Sequence, residues 1–241
     1  MAIRLTKEQF QAFEDSYAQD WYEEAAQKLM NLYPDYINAF GAKLQNVRKF
    51  CVEVHLNAKA VQIHSQKDVL KLAVLSLILG LNFRDDPRFR KALENSLDRT
   101  HIPENRRIIL LSEFVQDWVQ AGWSQNKMAE PGERLASYII QNTNELTSAS
   151  ERRENIYTLF PSAFSDQFEV CAAFFRLTEQ HCAEYGMHHG VLRFAYLGCS
   201  VTFGVKWFDD PLLENLKAVF STSKTPNELG EGIRSFYKGF A

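Results

Sequence analysis

Apolar residues recur at steps of three and four along almost the whole chain. Phe10, Phe13, Tyr17, Trp21, Ala25, Leu29 and Leu32 form one stripe, the spacing that places side chains on one face of an α-helix. Thr6 with Gln9 reads as a capping box at its start, and Pro34 closes the segment. Leu44, Val47, Cys51, Val54 and Ala58 predict a second helix. Ser65 to Asp68 open a third, whose run Val69 to Leu81 is apolar on most sides and interrupted by Lys71 and Ser76. Gly80 can end it in the left-handed conformation. Asp86 and Pro87 open the next helix as N-cap and first helical residue.

The second half reads the same way. Pro103 to Gly122 predicts a helix rich in Ile and Leu with Trp118. Gln125 to Gly132 is the most linker-like stretch, polar and ending in Pro131-Gly132. Glu133 to about Leu159 predicts one long helix or two shorter ones, closed by Phe160-Pro161. Ser165 to Tyr185 and His189 to Phe203 predict two more, stopped by Gly186 and Gly204. Asp210-Pro211 opens another, and Thr225-Pro226-Asn227-Glu228 starts the last. Two-residue alternation is not sustained anywhere, so the fold class is all-α.

The elements repeat. Gly80-Leu81-Asn82-Phe83-Arg84-Asp85-Asp86-Pro87 aligns without a gap to Gly204-Val205-Lys206-Trp207-Phe208-Asp209-Asp210-Pro211. At the same offset Ile63-His64 falls on Met187-His188, Leu70 on Phe194, Ala73 on Leu197 and Leu77 on Val201. Leu32-Tyr33-Pro34 resembles Leu159-Phe160-Pro161 after a small length change. The expectation is two tandem copies of a unit of about 100 residues, packed as one body or two close lobes. Unit one spans 1–100, a connecting helix and linker 101–126, and unit two 127–241. The repeated block reads as a helix–corner–helix joint. Gly80 or Gly204 ends one helix, Phe83 or Trp207 folds back on the core, and Asp86-Pro87 or Asp210-Pro211 starts the next. A carboxylate site for a hard cation, built from Asp85, Asp86, Asp209 and Asp210, is the minor alternative.

Composition narrows the classes. The chain has 241 residues, 46% of them hydrophobic and 24% charged, an ordinary globular balance. Its net charge of −3 leaves no basic excess for phosphates, which argues against nucleic-acid binding. The longest apolar run is too short to span a bilayer, so no membrane insertion is expected. The start of the chain contains no uninterrupted apolar segment of a secretory signal. The 4 cysteines, Cys51, Cys171, Cys182 and Cys199, have irregular spacing without a CxxC. They read as reduced thiols in a cytoplasmic protein.

Candidate chemistry is sparse. His181, Cys182, His188 and His189 form the densest group of ligand types. Their spacing crosses the break at Gly186 and lacks a second ligand pair, so a helix cap and surface histidines are expected rather than a metal. Cys171 and Cys182 lie about three turns apart on one helix face and read as small buried hydrophobes rather than nucleophiles. Neither a phosphate loop nor a nucleophile elbow nor a zinc-protease motif is present. Arg106-Arg107 and Arg152-Arg153 are too short for a phosphate track. The mixed-sign run Arg84 to Lys91 reads as a solvated helix start, with a partner-docking edge as the lesser reading. Aromatic residues left exposed beside arginine would be interface anchors. The tail Arg234 to Ala241 either docks on the core or binds something else.

One resemblance is carried by MAIRLTKEQF, Tyr33-Pro34, Tyr185-Gly186-Met187 and the two Asp-Asp-Pro blocks. With these motifs the chain resembles poorly characterised bacterial helical proteins encoded beside type VI secretion spike and effector genes. Val61-Gln62-Ile63 stands in the first half where the pattern has Tyr-Gly-Met. The resemblance carries no catalytic residues. It implies a non-enzymatic cytoplasmic protein that binds another protein, a secretion effector, a spike component or a toxin. The expected role is an effector adaptor or chaperone; the alternative is an immunity protein that blocks a toxin. A helical small-molecule- or metal-binding protein, or a homodimeric scaffold, are the further alternatives. No cofactor is expected. An exposed aromatic patch would favour protein binding, an enclosed polar pocket a small ligand, and a self-complementary surface a homodimer.

Overall fold

A computed structural model of the chain describes residues 7–120, 129–142, 148–164 and 168–241. Among them every regular element is helical. In chain order the α-helices are α1 (Lys7–Leu32), α2 (Pro34–Ala39), α3 (Leu44–Ala60), α4 (Gln66–Leu79), α5 (Arg90–Glu94) and α6 (Glu104–Gln120). They continue with α7 (Ala129–Gln141), α8 (Ala149–Leu159), α9 (Phe168–Glu184), α10 (Gly190–Phe203), α11 (Glu214–Thr222) and α12 (Pro226–Tyr237). The all-α expectation holds.

Local chemistry explains most boundaries. Ser65 accepts the Asp68 amide at the start of α4, Ser148 caps α8 in a reciprocal box with Glu151, and Thr225 accepts the Glu228 amide at α12. The cap read at Thr6 lies outside the described residues, as do the side chains of Phe10, Phe13 and Tyr17. Of the stripe's remaining members, Ala25 and Leu29 are buried, but Leu32 is 64% exposed. Leu32, the last residue of α1, therefore leaves the buried face that Leu29 still occupies. In α3 the predicted stripe is buried at Val47, Cys51, Val54 and Ala58.

Some element bounds recur along the chain. The bounds of α3 and α4, and of the short 3₁₀ turns Phe83–Asp85 and Pro87–Phe89, recur in α9 and α10 and in the turns Trp207–Asp209 and Pro211–Leu213. The offset is 124 throughout. Tyr33 (φ −131°, ψ 51°) and Phe160 (φ −129°, ψ 56°) also share a conformation before their prolines. The length change falls just after, where the six-residue α2 faces the three-residue turn Pro161–Ala163. Elsewhere the packing diverges: α6 lies on α4, whereas α12 packs on α7 and α11.

The two joints meet. Gly80 (φ 89°, ψ 151°) and Gly204 (φ 93°, ψ 165°) are not in the left-handed helical region that the sequence suggests. They occupy the extended positive-φ region that essentially only glycine enters. A Cβ on Gly80 would overlap the Phe203 carbonyl oxygen, and one on Gly204 would stand 3.6 Å from the Leu79 carbonyl oxygen. The ends of α4 and α10 therefore touch backbone to backbone. Asn82 Nδ2 donates to the carbonyl of Lys206, its own counterpart, at 3.1 Å. Buried apolar residues of both halves belong to one core cluster.

Two further details differ from expectation. Asp86-Pro87 and Asp210-Pro211 open 3₁₀ turns first, and α5 and α11 begin only after them. Pro131-Gly132, read as the end of a linker, lies in the first turn of α7. Proline there forfeits no helical hydrogen bond. Gly132 is buried where a Cβ would overlap the Tyr237 ring, so the residue that suggests a loop instead lets α7 and α12 pack closely.

Candidate functional site

The carboxylates singled out by the repeat come together by element and separate by partner. Asp86 accepts the Arg88 amide and pairs with the Arg88 guanidinium at 2.7 Å, both side chains being buried. Asp210 accepts the Leu212 amide at 2.9 Å and faces no such cation at the matching position. Asp85 takes the Lys206 ammonium at 2.7 Å, and Asp209 takes His181 Nε2 at 3.1 Å and the Tyr185 hydroxyl. Among the described residues no group of carboxylate, histidine and cysteine side chains could hold a metal ion. Phe83 and Trp207 are buried, and Trp207 Nε1 donates to the Tyr196 carbonyl. Pro87 lies half-buried at the mouth of a groove, whereas Pro211 is buried.

The histidine group disperses. His181 is buried in α9, neither a helix cap nor a surface residue, with Nδ1 against the Tyr196 hydroxyl. His188 and His189 are exposed, and Cys182 Sγ faces the Met187 carbonyl at 3.7 Å. Burial pushes the Cys182 thiol up to about 12, so it is no thiolate at neutral pH. The hydrogen bond to Asp209, reinforced by burial, raises the Tyr185 phenol to about 12. This chain of groups ties α9 and α10 to the second joint.

A groove of about 620 Å³ lies elsewhere, between the first joint and α9. One wall is Arg88, Arg90 and Lys91 with Phe114 and Trp118 of α6. The other is Phe164 with Glu169, Val170 and Cys171 at the start of α9. Phe114 and Trp118, one turn apart, stack at 6.1 Å, and Phe89 sets its edge against Trp118 at 5.1 Å. Phe164 stacks on Phe175 at 5.4 Å across an interplanar angle of 24°.

Arg88 locks the two walls. Its guanidinium donates to the carbonyls of Ser200 and Val201 at the end of α10 and lies 4.5 Å from the Phe174 ring centre. Cys171 is buried. The Tyr157 phenol beside it is pushed up to about 12, by burial first and then by its hydrogen bond to that thiol.

The sequence signalled parts of this groove. The run Arg84 to Lys91 carries a docking edge as its lesser reading, and Trp118 belongs to the helix predicted over Pro103 to Gly122. Nothing in the sequence joins Phe164 and Cys171 to Phe114, because that neighbourhood exists only once α9 packs against the turn Pro87–Phe89. Comparisons of the chain with protein-family models, with curated proteins and with solved structures return no match.

Proposed function

We propose that this chain is a non-enzymatic protein-binding protein and that the groove between the first joint and α9 is its docking site. One observation carries the reading: aromatic side chains and a buried arginine line a groove together with the exposed charges of Arg90, Lys91 and Glu169. Aromatic and arginine side chains at the centre with polar groups around them are the usual anatomy of a protein interface. Among the described residues, the ionisable groups lining the groove are Arg88, Arg90, Lys91, Glu169 and Cys171. They can orient and neutralise a bound chain, but they form no nucleophile–base pair of the kind acyl or phosphoryl chemistry needs. The matching element bounds support reading the chain as two copies of one helical unit.

The resemblance supplies the biological role. The chain is proposed as a cytoplasmic adaptor or chaperone for a type VI secretion effector, with an immunity protein as the alternative. Co-expression with the products of adjacent genes, followed by light scattering of the purified complex, tests it. A stoichiometric complex with an effector or spike component is the expected outcome. A chain that stays uncomplexed with every neighbour overturns the assignment. Rescue of cells from a bound toxin would select the immunity role over the adaptor.

A further inference from the structure

We infer that the groove takes an acidic segment of a partner protein. Its aromatic or large aliphatic side chain would seat against Phe114, Trp118 and Phe164, and its carboxylates would face Arg90 and Lys91. This inference rests on the protein-binding reading and deepens it.

Charge complementarity selects this occupant. Arg88 is already neutralised by Asp86 and its side chain is only 5% exposed, so it shapes the wall without meeting solvent. Arg90 and Lys91 are the cations open to an incoming chain, against Glu169 on the opposite wall. Arg90 lies 3.9 Å from Glu94 in an exposed pair, the kind that competes weakly with a new partner. Lys91 has no ion-pair partner among the described residues. The chain carries a net charge of −3, so this cationic edge runs against the overall charge.

The arrangement also separates a protein segment from other ligands. A small polar ligand needs polar groups converging on the floor of its pocket. Here Phe114, Trp118 and Phe164 line the groove beside buried Ala92, Ala163 and Cys171, and the cations Arg90 and Lys91 are exposed. Two exposed cations are too few for a nucleic-acid track, whose affinity grows with each phosphate neutralised.

The probe is a random peptide library displayed on phage and selected on the full chain. Enriched sequences are expected to place Asp or Glu beside an aromatic or large aliphatic residue. A synthetic peptide of the leading sequence should bind the Arg90→Glu/Lys91→Glu double variant at least about tenfold more weakly, because like charges then meet there. Its affinity for the wild-type chain should fall with added salt. Glu169→Lys removes the opposing carboxylate found among the described lining residues and should tighten binding by about threefold or more. All three positions are exposed, and circular dichroism melts confirm that the variants fold. Enrichment without acidic residues, equal affinity for wild type and the double variant, or no enrichment overturns the inference. A stoichiometric complex with a gene neighbour that survives the double variant removes the groove assignment and leaves the protein-binding reading standing. Selected acidic peptides without any such complex remove the secretion role alone.

Discussion

Asp86 and Asp210 each accept the amide two residues ahead, yet only Asp86 faces a cation within its own turn. The difference arises from the residues two places on, Arg88 and Leu212. Replacing Asp86 by Ala would leave the Arg88 guanidinium buried without its carboxylate, a loss of about 3–5 kcal/mol in urea unfolding. Asp210 behaves differently. Burial pushes its carboxyl up to about 6, against the opposing pull of amides from Leu212 and Leu81. The folded chain therefore holds this proton more tightly than the unfolded one. The resulting stabilisation is complete below the unfolded value near pH 4 and is lost as pH rises through about 6. Asp210→Asn keeps the capping oxygen and removes the titration. Relative to wild type, the variant is expected to gain stability between pH 4.5 and pH 7.5. An unchanged stability difference at the two pH values would refute the assignment.

At the scale of elements, the ends of α3 and α9 show how one backbone can be held by different chemistry. Gly186 ends α9 at φ 70°, and its counterpart Gln62 ends α3 at φ 55°. In both, the next residue's amide returns to a carbonyl five positions earlier, Met187 to Cys182 and Ile63 to Ala58. A side chain at positive φ is unfavourable, and in α3 a buried arginine from α6 supports the turn. Arg107 donates to the carbonyls of Val61, Gln62 and Leu97 at 2.6–2.9 Å. The substitution of Gln for Gly in the motif therefore changes the means of support and leaves the path of the chain unchanged. Arg107→Ala should cost at least ~2 kcal/mol, because three hydrogen bonds from a charged donor are lost. Amide exchange at Gln62 and Ile63 should accelerate beyond the global effect. A uniform change across α3 would show that the arginine does not act at this turn.

For the molecule as a whole, the contact between the joints decides how the halves behave. Gly80 lies against the Phe203 carbonyl, Asn82 meets Lys206, and Lys206 reaches Asp85. Tyr36, Phe40 and Phe240 add an aromatic cluster that joins α2 to the end of the chain, with Phe40 and Phe240 5.1 Å apart. Since both halves share one buried core, urea unfolding should give a single transition, coincident in far- and near-ultraviolet circular dichroism. Two separated transitions would show that each half is a folding unit of its own. The groove belongs to this scale as well, since its walls come from α5 and α6 on one side and α9 on the other.

Much of the architecture was determined by the order of residues alone. Helical periodicity, the caps at Ser65 and Thr225, and the Gly–aromatic–Asp-Asp-Pro joints are local, and local sterics and hydrogen bonds suffice to specify them. Other features depended on neighbours far away in the chain. Periodicity cannot show that Leu32 emerges from the core, or that Pro131-Gly132 starts a helix beneath Tyr237. His181 and the aromatic groove follow the same rule. Their environment is set by which helices pack together, and that packing minimises the exposed apolar surface of the whole chain rather than of any segment.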